Sequence, residues 1–191
     1  MPSSKEYDLY ASYLKTRSFK SFVFRKYILY PFLFRSINGA ILDVGCGIGD
    51  FLRYKPEAKG CDINPLLVKS LCNEGYDVSL IQDNLLPYEN NSFDVVILDN
   101  VIEHIEDPED IINEITRILK KGGVFVVGVP GKEGFRNDDD HKVFYDERIL
   151  SNLLENFELL RFKYIPFKFL FNFLSNKFST FSIYGYYLKG S

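Results

Sequence analysis

The sequence predicts an α/β fold on a doubly wound, mostly parallel sheet of seven strands, with helices on both faces and the last strand antiparallel. Three observations carry that expectation. Apolar runs of strand length alternate with helix-signalled segments from residue 40 onward. The first run, "AILDVGCGIGDF" at 40–51, passes directly into glycines at 45, 47 and 49. The last two runs, 158–167 and 181–190, are joined by a segment too short for a parallel crossover, so the final strand turns back.

The elements follow in order. Residues 5–35 read as two helices broken near Pro31, because proline removes a helical donor. "AILDVG" (40–45) is a buried strand, and "DFLRYK" (50–55) a short helix stopped by Pro56. "AKGCDI" (58–63) is the second strand. "NPLLVKSLCNEG" (64–75) is a helix with Asn64 as cap, Pro65 at the first position and Gly75 at the end. "YDVSLIQ" (76–82) and the strongly β-branched "FDVVILDN" (93–100) are strands. The span 107–123 is a helix opened by Asp107 and Pro108, with acids in its first turn and lysines in its last, as the helix dipole favours. "VFVVGVP" (124–130) is a strand and "DERILSNLLENF" (146–157) a helix.

Composition narrows the function classes. The 191 residues carry a net charge of −3, which does not favour nucleic acid as a partner. That total hides an asymmetry: residues 1–35 hold seven Lys/Arg against two acids, 161–191 hold five against none, and the middle holds eleven against twenty-four. The basic ends are also rich in Phe and Tyr. They read either as long basic side chains covering an aromatic layer, or as a rim drawing an anionic substrate or a membrane surface. Cys46, Cys61 and Cys72 form no CxxC pair, and no secretory signal opens the chain, so unpaired thiols and a cytoplasmic setting are expected. The apolar run at 27–34 is roughly half a membrane span.

The glycine loop leaves the first strand where an open parallel sheet binds its ligands. A dinucleotide fingerprint, G-x-G-x-x-G, requires glycine at position 50, where this chain has Asp50. An acid there repels a pyrophosphate. The pattern is instead D-x-G-x-G-x-G with Asp43 at its head, which suits a cationic amino-acid ligand.

"ILDVGCGIGDF" resembles the first motif of the class I, Rossmann-like, S-adenosylmethionine-dependent methyltransferases. "GCDINP", "QDNLLPYENNSFDVVILDNVIEHIEDP" and "LKKGGVFVVGVP" resemble that family's later blocks, in order, across residues 40–130. The resemblance implies S-adenosyl-L-methionine as cofactor and S-adenosyl-L-homocysteine as product. It implies that Asp62, nineteen residues after Asp43, takes the ribose hydroxyls, with Ile63 beside it. It places Asp83 near the adenine amino group, Asn84 beside the ring, and Asn100 facing the cofactor at the end of the fourth strand. Asp43, Gly45, Cys46, Gly47 and Gly49 form the loop, whose N–H groups can meet the cofactor's carboxylate. The implied layout is one methyltransferase domain: a helical cap (1–37), a cofactor-binding core (38–130) and an acceptor side (131–191).

Methyl transfer is an in-line displacement, and a hydroxyl acceptor also needs a base. His104, in "NVIEHI", and His141, after "DDD" in the loop beyond the fifth strand, are the candidates, each against a purely structural reading; Tyr145 is a weaker one. Glu103 and His104 alone are too few ligands for a metal, and none is assigned. The acceptor expected is a small molecule, anionic or sugar-type, such as a phosphorylated or nucleotide-linked sugar. The rivals are an NAD-dependent enzyme, a non-catalytic cofactor-binding or partner subunit on the same fold, and a membrane-surface protein.

Overall fold

In the computed structural model, which describes Tyr7 and residues 19–83, 85–165 and 182–190, seven strands form one sheet. They are β1 (Ile41–Val44), β2 (Lys59–Asp62), β3 (Val78–Leu80), β4 (Phe93–Asp99), β5 (Leu119–Pro130), β6 (Phe157–Ile165) and β7 (Ser182–Lys189), in the spatial order β3-β2-β1-β4-β5-β7-β6. The pairs from β3 through β5 are parallel, and β7 lies antiparallel between β5 and β6. From β1 the chain builds outward in one direction through β2 and β3, then returns to place β4 on the other side. The crevice beyond the carboxyl ends of β1 and β4 is therefore the topological switch point.

Strand alternation divides the core into two layers. Leu42, Val44, Val96 and Leu98 face the layer that packs on α5 (Glu109–Ile118) and α7 (Glu147–Leu153). Ile41, Val95 and Ile97 face the other layer, packed with Tyr30, Leu33 and Phe34 of the N-terminal helical segment and Phe51 of α3 (Asp50–Tyr54). By the same parity Asp43 and Asp99 belong to this other face, beside that segment.

The expected break at Pro31 is corrected. Helix α1 (Phe19–Phe24) passes through a π-helical stretch, Arg25–Leu29, into α2 (Tyr30–Phe34), whose first turn holds Pro31. The wider turn takes up the donor and the space that proline denies an α-helix. Residues 8–18 of the expected first helix and the 166–181 connection lie outside the described residues.

Helix α4 (Pro65–Asn73) is capped as expected: the Asn64 side chain accepts from the amides of Leu66 and Leu67. Helix α5 is shorter than expected. Asp107 accepts from the Glu109 amide, but Lys120 and Lys121 lie in β5 instead of the helix's last turn. The cation at that helix end comes from β7, where Lys189 donates to the carbonyls of Thr116 and Leu119, both at 2.6 Å. A short helix not foreseen, α6 (Lys132–Arg136), follows β5. Among the described residues all three cysteines are free thiols, and no helix is long and apolar enough to cross a membrane.

Candidate active site

Gly45, Gly47 and Gly49 take φ of +72°, +54° and +80°, as the loop at the end of β1 requires. Space is short as well: a Cβ on Gly45 would sit 2.5 Å from Val101 Cγ2, and one on Gly49 would sit 2.5 Å from Leu71 Cδ2. The loop's amides are largely spent inside the protein. Gly45 and Cys46 both donate to the Cys61 carbonyl, at 2.8 and 3.1 Å, and Gly49 donates to the Cys46 carbonyl at 2.9 Å. The Cys46 amide, a candidate ligand contact, is thus engaged by the Cys61 carbonyl. Its side chain is a buried filler beside Gly60.

The fourth loop amide, Gly47, donates to Asp62 Oδ2 at 2.8 Å, while Asn64 donates to Oδ1 at 2.8 Å. This carboxylate at the end of β2 therefore braces the loop against the cap of α4. Burial raises its pKa, and the two amides pull it back down. Asp43 is also buried; desolvation, with Asp99, Asp62 and Asp50 around it, pushes its carboxyl well above the ordinary range. Asp99 accepts from the Tyr184 hydroxyl at 2.8 Å and from the Asn100 side chain at 2.7 Å. Arg25 reaches into this acidic group from the π-helical stretch. It lies 3.6 Å from Asp99, 3.9 Å from Asp50 and donates to the Tyr30 hydroxyl at 3.2 Å. Neither Arg25 nor Asp99 stands out in the sequence. Arg25 is there one basic residue among aromatic neighbours, and Asp99 is the polar end of a strand.

Asn100 sits in the left-handed region at φ +54°, held by its amide bond to the Gly128 carbonyl. Ile63 is 52% exposed directly after Asp62, so it offers an apolar face at the crevice. Asp83, also left-handed, is exposed on a cavity of about 230 Å³ that it shares with Leu85, Asp110, Asn113 and Glu114. Asn84 lies outside the described residues.

Beyond β4 and β5 the two histidines meet. Their rings lie 4.8 Å apart, and His141 stacks on Phe135 at 5.2 Å. The connection is made by backbone: the amides of Lys142 and Val143 both donate to the Glu103 carbonyl. His141 Nε2 lies 3.9 Å from Glu103 Oε1 and 4.0 Å from Asp138 Oδ2. Glu103 is 1% exposed, and neither carboxylate oxygen has a hydrogen-bond partner among the described residues. Burial pushes its carboxyl up to about 8. Tyr145 is buried nearby, its pKa raised by burial and then by Glu103.

Comparison with known proteins identifies the scaffold. The model of a methyltransferase domain family matches residues 42–127, the span from β1 into β5. The matched core is similar to the class I, S-adenosylmethionine-dependent methyltransferases. An uncharacterized protein of Methanocaldococcus jannaschii is 28% identical over 136 residues, 67% of this chain and 66% of the relative. A probable tRNA methyltransferase 9B of Mus musculus is 35% identical over 123 residues, 60% of this chain but 27% of the mouse protein. The chain thus spans less than two thirds of either relative. A SAM-dependent methyltransferase from Aquifex aeolicus has the same fold at 17% identity, with a TM-score of 0.67 over 93% of this chain and 97% of that one.

Proposed function

We propose that this methyltransferase-family chain transfers a methyl group from S-adenosyl-L-methionine to a small anionic or sugar-type acceptor. The observation that carries the reading is the buried acidic surplus at the glycine loop. Asp43, Asp50, Asp62 and Asp99 converge there around Arg25. Such a site repels a dinucleotide's pyrophosphate and attracts a ligand with a sulfonium and an ammonium. In this reading Asp62, whose oxygens each accept one amide, takes the ribose hydroxyls with their remaining lone pairs. Ile63 lies against the purine, with Asp83 near its amino group. Asp43 and Asn100 face the methionine part. Because four loop amides are engaged, Arg25 takes the cofactor's carboxylate in their place. His141 or His104 serves as base on the acceptor side, and the basic flanks of the chain favour an anionic or sugar-linked acceptor.

Calorimetric titration with S-adenosyl-L-methionine, S-adenosyl-L-homocysteine and NADH tests the cofactor assignment. Saturable micromolar binding of the two adenosyl ligands without NADH is expected. Failure of both would leave a non-catalytic partner subunit. An acceptor screen then follows, with phosphorylated and nucleotide-linked sugars as the expected substrates and tRNA as the contrasting arm.

A further inference from the structure

The cluster beyond β4 has the composition and the wiring of a metal centre. The ligand atoms of Glu103, His104 and His141 all lie within 4.8 Å of one another. The tautomers follow from the partners. His104 Nδ1 faces Asp140 Oδ2 at 3.1 Å, and His141 Nδ1 faces the Phe135 carbonyl at 2.8 Å. A carboxylate and a carbonyl only accept, so both Nδ1 atoms donate, which leaves the Nε2 of each ring as the atom that can offer a lone pair to an ion. Metal-binding histidines are oriented in this manner, with the other ring nitrogen donating to a carboxylate or a backbone carbonyl.

The Glu103 carboxylate is the independent sign. A buried carboxylate without a hydrogen-bond partner is a rare and costly arrangement. A cation held between it and the imidazoles would satisfy it, as His141 Nε2, at 3.9 Å, does not. Asp138 Oδ2, 4.0 Å from the same nitrogen, stands ready as a further oxygen ligand.

We propose that Glu103, His104 and His141 bind a divalent transition-metal ion of the Zn²⁺ or Co²⁺ type, with Asp138 closing the set. Two imidazoles select for that class over Mg²⁺ or Ca²⁺, which prefer all-oxygen sites. Metal–ligand bonds of about 2.0–2.1 Å place tetrahedral ligands ~3.3 Å apart, so the separations, 3.9 Å for Glu103 and His141 and up to 4.8 Å across the set, must close by side-chain movement of about an ångström. The ion ties the loop after β5 to the turn after β4. If the methyltransferase reading holds, metal-bound histidines no longer serve as base, and the ion would take over that role by acting as a Lewis acid on a hydroxyl acceptor.

The test uses the full chain, freed of metal with a chelator and titrated with Co²⁺ and then Zn²⁺. Calorimetry and visible absorption are the readouts, and neither requires cofactor or acceptor. One equivalent of Co²⁺ is expected, with weak d–d bands and no thiolate band, and Zn²⁺ displaces it. Glu103→Gln and His141→Asn each weaken binding at least tenfold, His104→Asn does so at a more exposed position, and Asp139→Asn does not. Circular dichroism checks that each variant is folded, and unchanged S-adenosyl-L-homocysteine binding in Glu103→Gln separates this site from the cofactor reading. No saturable binding, equal binding in folded Glu103→Gln and His141→Asn, or a thiolate band would overturn the proposal.

Discussion

The two sides of the crevice solve opposite problems. On the glycine-loop side the polar groups already satisfy one another: Gly47 and Asn64 donate to Asp62, and Tyr184 and Asn100 donate to Asp99. On the histidine side the buried Glu103 carboxylate makes no hydrogen bond among the described residues. The first arrangement is rigid before any ligand arrives, so a change there disturbs fold and binding together. The other leaves polar capacity unspent, so a change there can release free energy in the unliganded protein.

The hardest test of the rigid side is Gly45→Ala. A methyl group there meets Val101 at 2.5 Å and must also adopt a φ of +72°. Left-handed strain of about 1–2 kcal/mol and overpacking of about 1–3 kcal/mol should together lower stability by roughly 2–5 kcal/mol. Urea denaturation measures it, and a loss below about 1 kcal/mol would mean that the loop is not preorganised. Asp62→Ala comes next. Losing charge-assisted bonds to the ribose should weaken S-adenosyl-L-homocysteine by about 1.5–3 kcal/mol, roughly 10–150-fold. Unchanged affinity would remove Asp62 from the ribose site.

Arg25→Met sharpens the comparison at one functional group. It should weaken S-adenosyl-L-homocysteine about tenfold, or ~1.4 kcal/mol, and leave 5′-methylthioadenosine, which lacks the amino-acid tail, unaffected. Equal losses for both ligands would make Arg25 a general brace for the acids around it.

The same contrast explains how much could be read in advance. The strand–glycine–acid arrangement on the glycine-loop side is contiguous or one β-α-β unit apart, so residues 40–62 display it directly. The mostly parallel sheet and the antiparallel last strand followed from the element sequence and one short connection, whereas the strand order came only from the structure. Arg25 was not foreseen because its role depends on a helix crossing over β1 and β4, which no local pattern encodes. The pairing of His104 with His141 was hidden for the same reason. The residues are 37 apart, and two backbone bonds to the Glu103 carbonyl bring them together. The end of α5 was misjudged because its stabilising cation, Lys189, arrives from the far end of the chain.

Glu103→Met tests the unspent side. With no cation bound, the substitution removes an unpartnered buried carboxyl at little change in volume, so chelator-treated protein should gain about 1 kcal/mol. The urea midpoint should rise with an unchanged slope. A loss of similar size would mean that the carboxyl is satisfied in solution, and the contrast between the two sides would fail.

The smallest effect belongs to the opposite end of the strands, where neither ligand reaches. Asp94, at the start of β4, accepts from Lys120 at 2.9 Å and from the Ala40 amide at 2.8 Å, joining the entry ends of β4, β5 and β1. The Lys120 bond, followed by the Ala40 amide, holds its pKa below the ordinary carboxylate value. A depressed folded-state pKa means that the contribution is complete above the unfolded carboxylate's pKa and is lost as pH falls through the folded one. The side chain is 40% exposed, so solvent screening limits the ion pair to about 0.5 kcal/mol. Asp94→Asn should therefore lower stability by no more than that near neutral pH, and the gap from the parent should close as pH drops below about 4. Because Asp94 acts only on strand entry, adenosyl-ligand and Co²⁺ affinities should both stay unchanged. A shift in either would show that the two sides are coupled through the sheet, and their opposite behaviour would then need a common cause.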